Sequence, residues 1–321
     1  MITFPGARAP DRLRSVDAFG VRLAVYEWGD EKAPPLLLVH GGFDFARTLD
    51  VFAPLLADAG YRVVSWDHRG HGDSEHAQLY SWMADERDML AVLDSTTREP
   101  IPAVGHSKGG SMLVHFIPSK PHRFTHFAAI DGMPFRRAQP DVAERERTMM
   151  TRQDVDGWLE HRRKAHTLVR KPGTLEELAE RRARMNPRLS KDWLRYLVTV
   201  GARQDDDGLI HTPPTASRLY RWKIDPSLRM GGFGPWRSRW VTERLPGFPV
   251  PMLAMFGTAN EPMGWGVTPD DLRPYMPPRA RLEVFESTGH FIHIERPHET
   301  ADMVLDFLRV KTATPSSPQW A

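Results

Sequence analysis

The chain contains no cysteine. Disulfides, cysteine-ligated zinc and a thiol nucleophile are therefore all excluded. Lysine is scarce too, with 8 residues against 35 arginines. This is a compositional bias and not a surface, because no dense basic block occurs. An excess of one charge is also missing. The 43 basic and 41 acidic residues are well mixed and leave a net charge of +2, which argues against a nucleic-acid partner. No apolar run approaches the ~18 residues of a membrane span. The N-terminal stretch MITFPGARAPDRLRS lacks the apolar core of a secretory signal. Internal repeats and low-complexity tracts are absent. The expectation is a soluble cytoplasmic protein with no membrane partner. At 321 residues it is long enough for one large domain with an inserted subdomain.

Strand and helix patterns alternate in the first 131 residues. Val21 to Trp28 alternates apolar and polar residues. Leu36 to Val39 is a continuous apolar run of the kind buried on both faces of a sheet. Phe45 to Ala59 fits an amphipathic helix with Gly60 as its C-cap. Tyr61 to Trp66 reads as a strand and Tyr80 to Leu93 as a helix. Ile101 to His106 is a strand, Lys108 to Pro118 a helix, and Phe124 to Ile130 a strand ending at Asp131. Such alternation implies a parallel sheet with right-handed crossovers. From 132 to 248 it stops, and the charged, tryptophan-bearing composition reads as a helical insert with no convincing strand. Within it, Thr174 and Glu177 form a capping-box pattern opening Leu175 to Met185. Ser190 is placed to cap Trp193 to Val200, and Thr212-Pro213 reads as a further helix start. Trp158, Trp193, Trp222, Trp236 and Trp240 read as packing residues and not as a cofactor box. Met230 to Pro235 reads as an irregular loop. The α/β pattern resumes over 249–311, with strands at Val250 to Phe256 and Arg281 to Phe285. A short helix or turn at Asp270 to Tyr275 and a closing helix at Thr300 to Val310 accompany them. Residues 312–321 read as a disordered tail.

Chemistry concentrates at Gly105-His106-Ser107-Lys108-Gly109. The apolar run before it and the helix-compatible run after it make this a strand–turn–helix with serine at the turn, the G-x-S-x-G nucleophile elbow. A hydroxyl is a weak nucleophile until a base takes its proton. His290, in Ser287-Thr288-Gly289-His290-Phe291 after the last strand, is the base candidate, while His293 reads as structural. The base needs a carboxylate, and two compete. Asp131 ends the strand after the elbow, and Glu261 follows the strand ending at Phe256. An oxyanion would be held by the backbone N–H of Lys108 and by a second amide from His40-Gly41-Gly42-Phe43. Gly42 is the first choice there and Phe43 the next. Lys108 is unusual beside a helix N-terminus, where a positive charge is mildly unfavourable; its side chain is expected in solvent, with a substrate carboxylate as the alternative partner. His68 and His71 in Asp67–Ser74 look metal-like, but no further ligands are specified, so no metal is expected.

Four motifs in order resemble the α/β-hydrolase fold family, serine hydrolase branch. They are HGG at His40–Gly42, DHRGHGDS at Asp67–Ser74, GHSKGG at Gly105–Gly110 and GHFIHIERP at Gly289–Pro297. The resemblance implies a mostly parallel eight-stranded sheet flanked by helices, a helical cap inserted after the sixth strand, and a Ser–acid–His triad. It implies neither metal nor organic cofactor. Epoxide hydrolases and haloalkane dehalogenases of this fold use an Asp nucleophile, which Ser107 argues against. The family's usual acid follows the seventh strand as G-x-x-D, where this chain has Asn260. Glu261 would serve if the loop shifted by one residue. A minority of the family, certain lactonases among them, carries the acid at the end of the sixth strand. Asp131 in Ala128-Ala129-Ile130-Asp131 matches that placement and is favoured.

The reading is a serine esterase or lactonase with a small apolar ester or lactone substrate under an aromatic and Met-containing cap. The rival readings are carbon–carbon bond hydrolysis or cofactor-free perhydrolysis on the same triad, and a non-catalytic ligand-binding protein.

Overall fold

The computed structural model describes residues 2–78, 80–133, 152, 155–157, 159–164, 167–204, 218–228, 242–264 and 266–309. The apolar runs form strands β1 (Arg12–Asp17), β2 (Arg22–Trp28), β3 (Pro35–Val39), β4 (Arg62–Trp66), β5 (Ile101–His106) and β6 (Phe124–Ile130). After the insert, which carries β7 (Ala202–Gln204) and β8 (Tyr220–Trp222), come β9 (Met252–Gly257) and β10 (Arg281–Phe285). Eight of them make one sheet in the order β1-β2-β4-β3-β5-β6-β9-β10. The β1–β2 and β2–β4 pairs are antiparallel and the other pairs parallel. Helices α1 (Phe52–Asp58), α2 (Trp82–Thr96) and α3 (Lys108–Phe116) precede the insert. The insert holds α4 (Leu175–Met185) and α5 (Lys191–Gly201), and α6 (Pro269–Leu272), α7 (Ile292–Glu295) and α8 (Pro297–Leu308) follow it.

Burial follows the two-residue period of the strands. Leu37, Val39, Val64, Trp66, Ala103, Phe127 and Ala129 face one layer, against Met89 and Val92 of α2 and Met112 and Leu113 of α3. Their neighbours Leu36, Leu38, Val63, Val104, Ala128 and Ile130 face the other, against Phe52 and Leu56 of α1 and Val304 and Phe307 of α8. The central strands are thus apolar on both faces, as the continuous runs require. No helix among the described residues is long and apolar enough to cross a membrane.

The expected helix from Phe45 to Ala59 is broken into a 3₁₀ turn, Ala46–Leu49, and α1. Pro54 is the cause. It lacks an N–H and its ring would meet the carbonyl of Asp50 in a continuous helix, so a new helix starts with Pro54 in its first turn. The Asp50 carbonyl accepts the Arg8 N–H instead, at 2.8 Å.

The insert departs from its reading in one respect. Ala202–Gln204 and Tyr220–Trp222 pair as an antiparallel ribbon, with Arg203 opposite Arg221. Three residues are too few to show a strand period. The capping box opening α4 is present, with the Glu177 N–H donating to Thr174 Oγ1 at 3.2 Å and the Thr174 N–H to Glu177 Oε2 at 2.9 Å. Ser190 caps α5 through the Trp193 N–H. Trp193 is buried between Phe4 and Tyr196, and Trp222 lies 6.4 Å from Phe45, ring centre to ring centre. The insert seats on the core through Phe45, Val51 and Phe291. Trp158, Trp236, Trp240, the Thr212-Pro213 helix start, the Met230–Pro235 loop and the 312–321 tail lie outside the described residues.

Candidate active site

The carboxyl ends of β3, β5, β6, β9 and β10 deliver their loops to one edge of the sheet, where open α/β folds bind ligands. Ser107 stands alone between β5 and α3 with φ 52° and ψ −121°. A positive φ costs a non-glycine residue about 1–3 kcal/mol, so the surroundings must hold it. The Ser107 N–H donates to the Ile130 carbonyl at 3.0 Å, and the Ser107 carbonyl accepts from Ser111 at 3.1 Å. Three glycines make room. A methyl group on Gly105 would sit 2.6 Å from the Gly109 carbonyl carbon, and one on Gly109 would run into the Val39 and His40 carbonyls. One on Gly132 would sit 2.6 Å from the Ser107 carbonyl oxygen. The third of these, Gly132, was not anticipated from the motif.

His290 lies on the loop between β10 and α7. Its Nδ1 is 2.5 Å from Oδ2 of Asp131, and both residues are buried. Nδ1–H donates to the carboxylate, which leaves the Nε2 lone pair to take a proton. Asp131 sits at φ 41°, with its N–H donating to the Met255 carbonyl at 2.9 Å. Glu261 reaches the same histidine from the other side, where its Oε1 accepts the His290 backbone N–H. Oε2 of Glu261 is buried with no hydrogen-bond partner, and burial pushes its carboxyl pKa up. One carboxylate therefore meets the ring and the other the main chain. The loop is further tied by the His290 carbonyl, which accepts from His106 Nε2 at 3.0 Å, and by the Gly289 N–H, which donates to Glu295 at 2.8 Å.

The loop after β3 lies across Ser107. A methyl on Gly41 would be 3.2 Å from Ser107 Cβ, and one on Gly42 would be 3.7 Å from the Lys108 stem. Phe43 has φ 59°, and its N–H donates to His71 Nε2 at 3.3 Å. That amide is committed to the framework, which leaves Gly42 as the loop's candidate oxyanion donor beside Lys108. The histidines of the two flanking motifs act here as neutral braces. His71 Nδ1–H donates to the Arg69 carbonyl at 2.9 Å and His40 Nδ1–H to the Gly41 carbonyl at 2.7 Å. His40 Nε2 accepts the His68 N–H at 3.1 Å. Burial drives the His40 pKa down to about 3 and those of His68 and His71 well below the usual value, as the acceptor roles of the His40 and His71 rings require. Among the described residues no group of three or more His, Asp or Glu could hold a metal ion. His293 is buried beside the ring of His106, 4.4 Å between ring centres.

The expectation of a solvent-exposed Lys108 side chain is wrong. Lys108 is 5% exposed and its Nζ lies 2.8 Å from Asp85 of α2. Beside this pair, Arg69 makes a two-pronged ion pair with Asp88, both contacts at 2.7 Å. Burial raises the Asp88 pKa to about 6. The buried carboxylate of Asp85 outweighs the mild repulsion at the helix N-terminus, because a pair at this separation in a dry site interacts far more strongly than one in water. A sequence signal existed. Asp85 and Asp88 share the buried face of α2 with Met89 and Val92, and acids on an apolar face demand cations. Arg182 and Arg188 of the insert gave no such signal. Arg182 donates to the Phe43 carbonyl at 2.9 Å and pairs with Asp44. Arg188 donates to the Ser287 carbonyl at 2.5 Å and to Glu295 at 3.0 Å.

The family sequence model described as "alpha/beta hydrolase fold" matches residues 34–297. The chain is similar to a serine hydrolase-like protein of Dictyostelium discoideum, 24% identical over 313 residues, spanning 93% of this chain and 82% of that protein. It is also similar to epoxide hydrolase A of Mycobacterium tuberculosis, 28% identical over 326 residues, spanning 92% and 96%. Among solved structures, the thioesterase domain from the curacin biosynthetic pathway superposes with a TM-score of 0.73 at 20% identity, covering 92% of this chain and 99% of that one. With its sheet order, its elbow at Ser107 and this match over most of its length, the chain belongs to the alpha/beta hydrolase fold family.

Proposed function

We propose that the protein is a serine hydrolase that cleaves a carboxylic ester or lactone through an acyl-enzyme on Ser107. The observation that carries the proposal is the buried His290–Asp131 contact at 2.5 Å, on the same sheet edge as the strained Ser107. In this reading His290 Nε2 takes the hydroxyl proton as Ser107 Oγ attacks the carbonyl carbon. The amides of Lys108 and Gly42 hold the tetrahedral oxyanion, each worth about 10²–10³ in rate. His290 passes the proton to the departing alkoxide, then takes one from the water that releases the acid and frees Ser107. Asp131 fixes the ring tautomer and stabilises the imidazolium, and Glu261 supports the main chain of the same loop.

Serine at the elbow separates this reaction from that of the epoxide hydrolase relative. A carboxylate that opens an epoxide forms an ester that water can cleave. A serine that did so would form an ether, which water does not cleave, and the site would be blocked after one turnover. An acyl-serine, in contrast, turns over.

The test is hydrolysis of short-chain aryl esters and simple lactones, with fluorophosphonate labelling in parallel. Wild type is expected to hydrolyse and to be labelled. Ser107→Ala is expected to lose at least about 10³-fold in kcat and all labelling. A Ser107→Ala protein with full activity would overturn the mechanism. Cleavage of a carbon–carbon bond in a diketone, with no ester cleavage, would replace the substrate class and keep the triad.

A further inference from the structure

Five non-glycine residues among those described have positive φ: Phe19, Phe43, Ser107, Asp131 and Ser287. Phe19 is in the β1–β2 turn and is exposed. The other four are all at the site. Ser107 and Asp131 belong to the proposed triad. Phe43 and Ser287 make no chemistry, yet each sits in one of the two loops on which the chemistry depends. Phe43 follows Gly42, and Ser287 lies three residues before His290. A left-handed residue outside a glycine position holds only when its surroundings determine it. In both cases the carbonyl is held by an arginine of the insert. Arg182 Nη1 donates to Phe43 O at 2.9 Å, and Arg188 Nη2 donates to Ser287 O at 2.5 Å.

Each arginine also reaches a carboxylate, Asp44 within the first loop and Glu295 in the helix that follows the second. Arg182 pairs with Asp44, whose other oxygen lies 3.9 Å from His106 Nδ1. The Asp44 side chain is 2% exposed, and a methyl group on Gly41 would lie 2.9 Å from its Oδ2. Without its guanidinium, Asp44 would present a bare negative charge beside the place where an oxyanion develops. Arg188 is 3.0 Å from Glu295 Oε2, and Glu295 Oε1 takes the N–H of Gly289, the residue before His290. The opposite polar group of each left-handed residue is held by the core. The Phe43 N–H goes to His71 and the Ser287 N–H to Thr258 Oγ1 at 2.9 Å.

We propose that Arg182 and Arg188 are positioning residues, and that the short segment from the end of α4 to the turn before α5 clamps both catalytic loops at once. The inference rests on the reaction proposed above. The two loops come from opposite ends of the chain, while the two arginines are six residues apart in sequence. The insert thus couples the oxyanion loop to the histidine loop without touching substrate. The site is complete only with this segment seated, and an insert that lifts to admit substrate relaxes both loops together.

The experiment uses the full chain with Arg182→Gln, Arg188→Gln and the double variant. Arg182→Lys and Arg188→Lys carry the test if a Gln variant does not fold. Arg195→Gln is the control, because Arg195 is an exposed insert arginine paired with Glu176 inside the insert. Two readouts are taken. In amide hydrogen exchange, residues 41–45 in Arg182→Gln and 286–290 in Arg188→Gln are expected to exchange at least tenfold faster, with β3 and β5 unchanged. In kinetics on an aryl ester, kcat is expected to fall about 10–100-fold for each Gln variant with KM within threefold, because misplaced groups cost rate before binding. The Lys variants are expected to recover part of the loss and Arg195→Gln to match wild type. Unchanged exchange in both loops, or equal losses in Arg195→Gln, would overturn the clamp. The exchange arm needs no turnover, so an inert wild type would strike the proposed reaction while the clamp is still decided.

Discussion

Two carboxylates flank His290, and their difference is one of atoms. Asp131 touches ring Nδ1 and Glu261 touches the main-chain N–H. Only the first can fix the ring tautomer, and it meets an imidazolium charge in direct contact. Asp131→Asn is therefore expected to lower kcat by about 10³–10⁴-fold. Glu261→Gln, whose amide oxygen can still accept the His290 N–H, is expected to lose less than about tenfold. Initial rates on one aryl ester check this, and the reverse ranking would move the role to Glu261. Sequence order alone left these two residues in competition, since both stand between Ser107 and His290. Lys108 teaches the complementary lesson. Its place beside Ser107 was legible, but its partner lies on another element, and only folding brings Asp85 to it.

The elbow between β5 and α3 could be read from its residues because its geometry is local. A serine in a left-handed turn needs very small neighbours at fixed offsets, and the sequence shows them. Gly109→Ala tests the packing directly. Its methyl would meet the backbone carbonyls of Val39 and His40, which cannot move without breaking β3 from β5. The variant is expected to lose about 3 kcal/mol or more by denaturant unfolding, the high end for overpacking, and to be inactive. A stable and active Gly109→Ala would mean the turn is looser than its geometry states. The capping box of α4, the Ser190 cap of α5 and the apolar strand runs were legible for the same local reason. The three-residue ribbon of β7 and β8 was not, because its pairing is decided by the chain it meets. The split of Phe45–Ala59 was written in Pro54 and needed only the i−4 carbonyl to be counted.

At the scale of the molecule, the site is ringed by imidazoles that the fold keeps neutral. Burial holds His40 and His293 down to about 3, and His68, His71 and His106 well below the usual value. As pH falls through about 6.5 the unfolded chain binds protons at these five positions and the folded chain does not, so their contribution to stability is lost on acidification. Buried carboxylates act in the opposite sense. Asp50 and Asp88 are raised to about 6 and Asp67 to about 7, with Glu261 raised as well, so the folded chain keeps protons there that the unfolded chain releases. Their contribution falls as pH rises from about 4 through those values. The five histidines outnumber the three carboxylates raised to about 6–7, so the balance between pH 5 and pH 7 is expected to run toward loss of stability on acidification. Thermal denaturation is therefore expected to show Tm dropping between pH 7 and pH 5. A flat or rising Tm on acidification would mean that the buried imidazoles accept protons in place.

The sequence by itself determined the order of elements, the elbow that carries Ser107, the place of His290 after the last strand of the sheet and the glycine-bearing loops. Those depend on hydrophobic period and on steric needs within a few residues of each site. Only the tertiary structure decided which carboxylate meets the histidine ring, what neutralises Lys108, and that two arginines of the insert grip both active-site loops. Those contacts join residues far apart in the chain, and their partners are chosen by how the sheet edge and the insert meet in space, which no local spacing records.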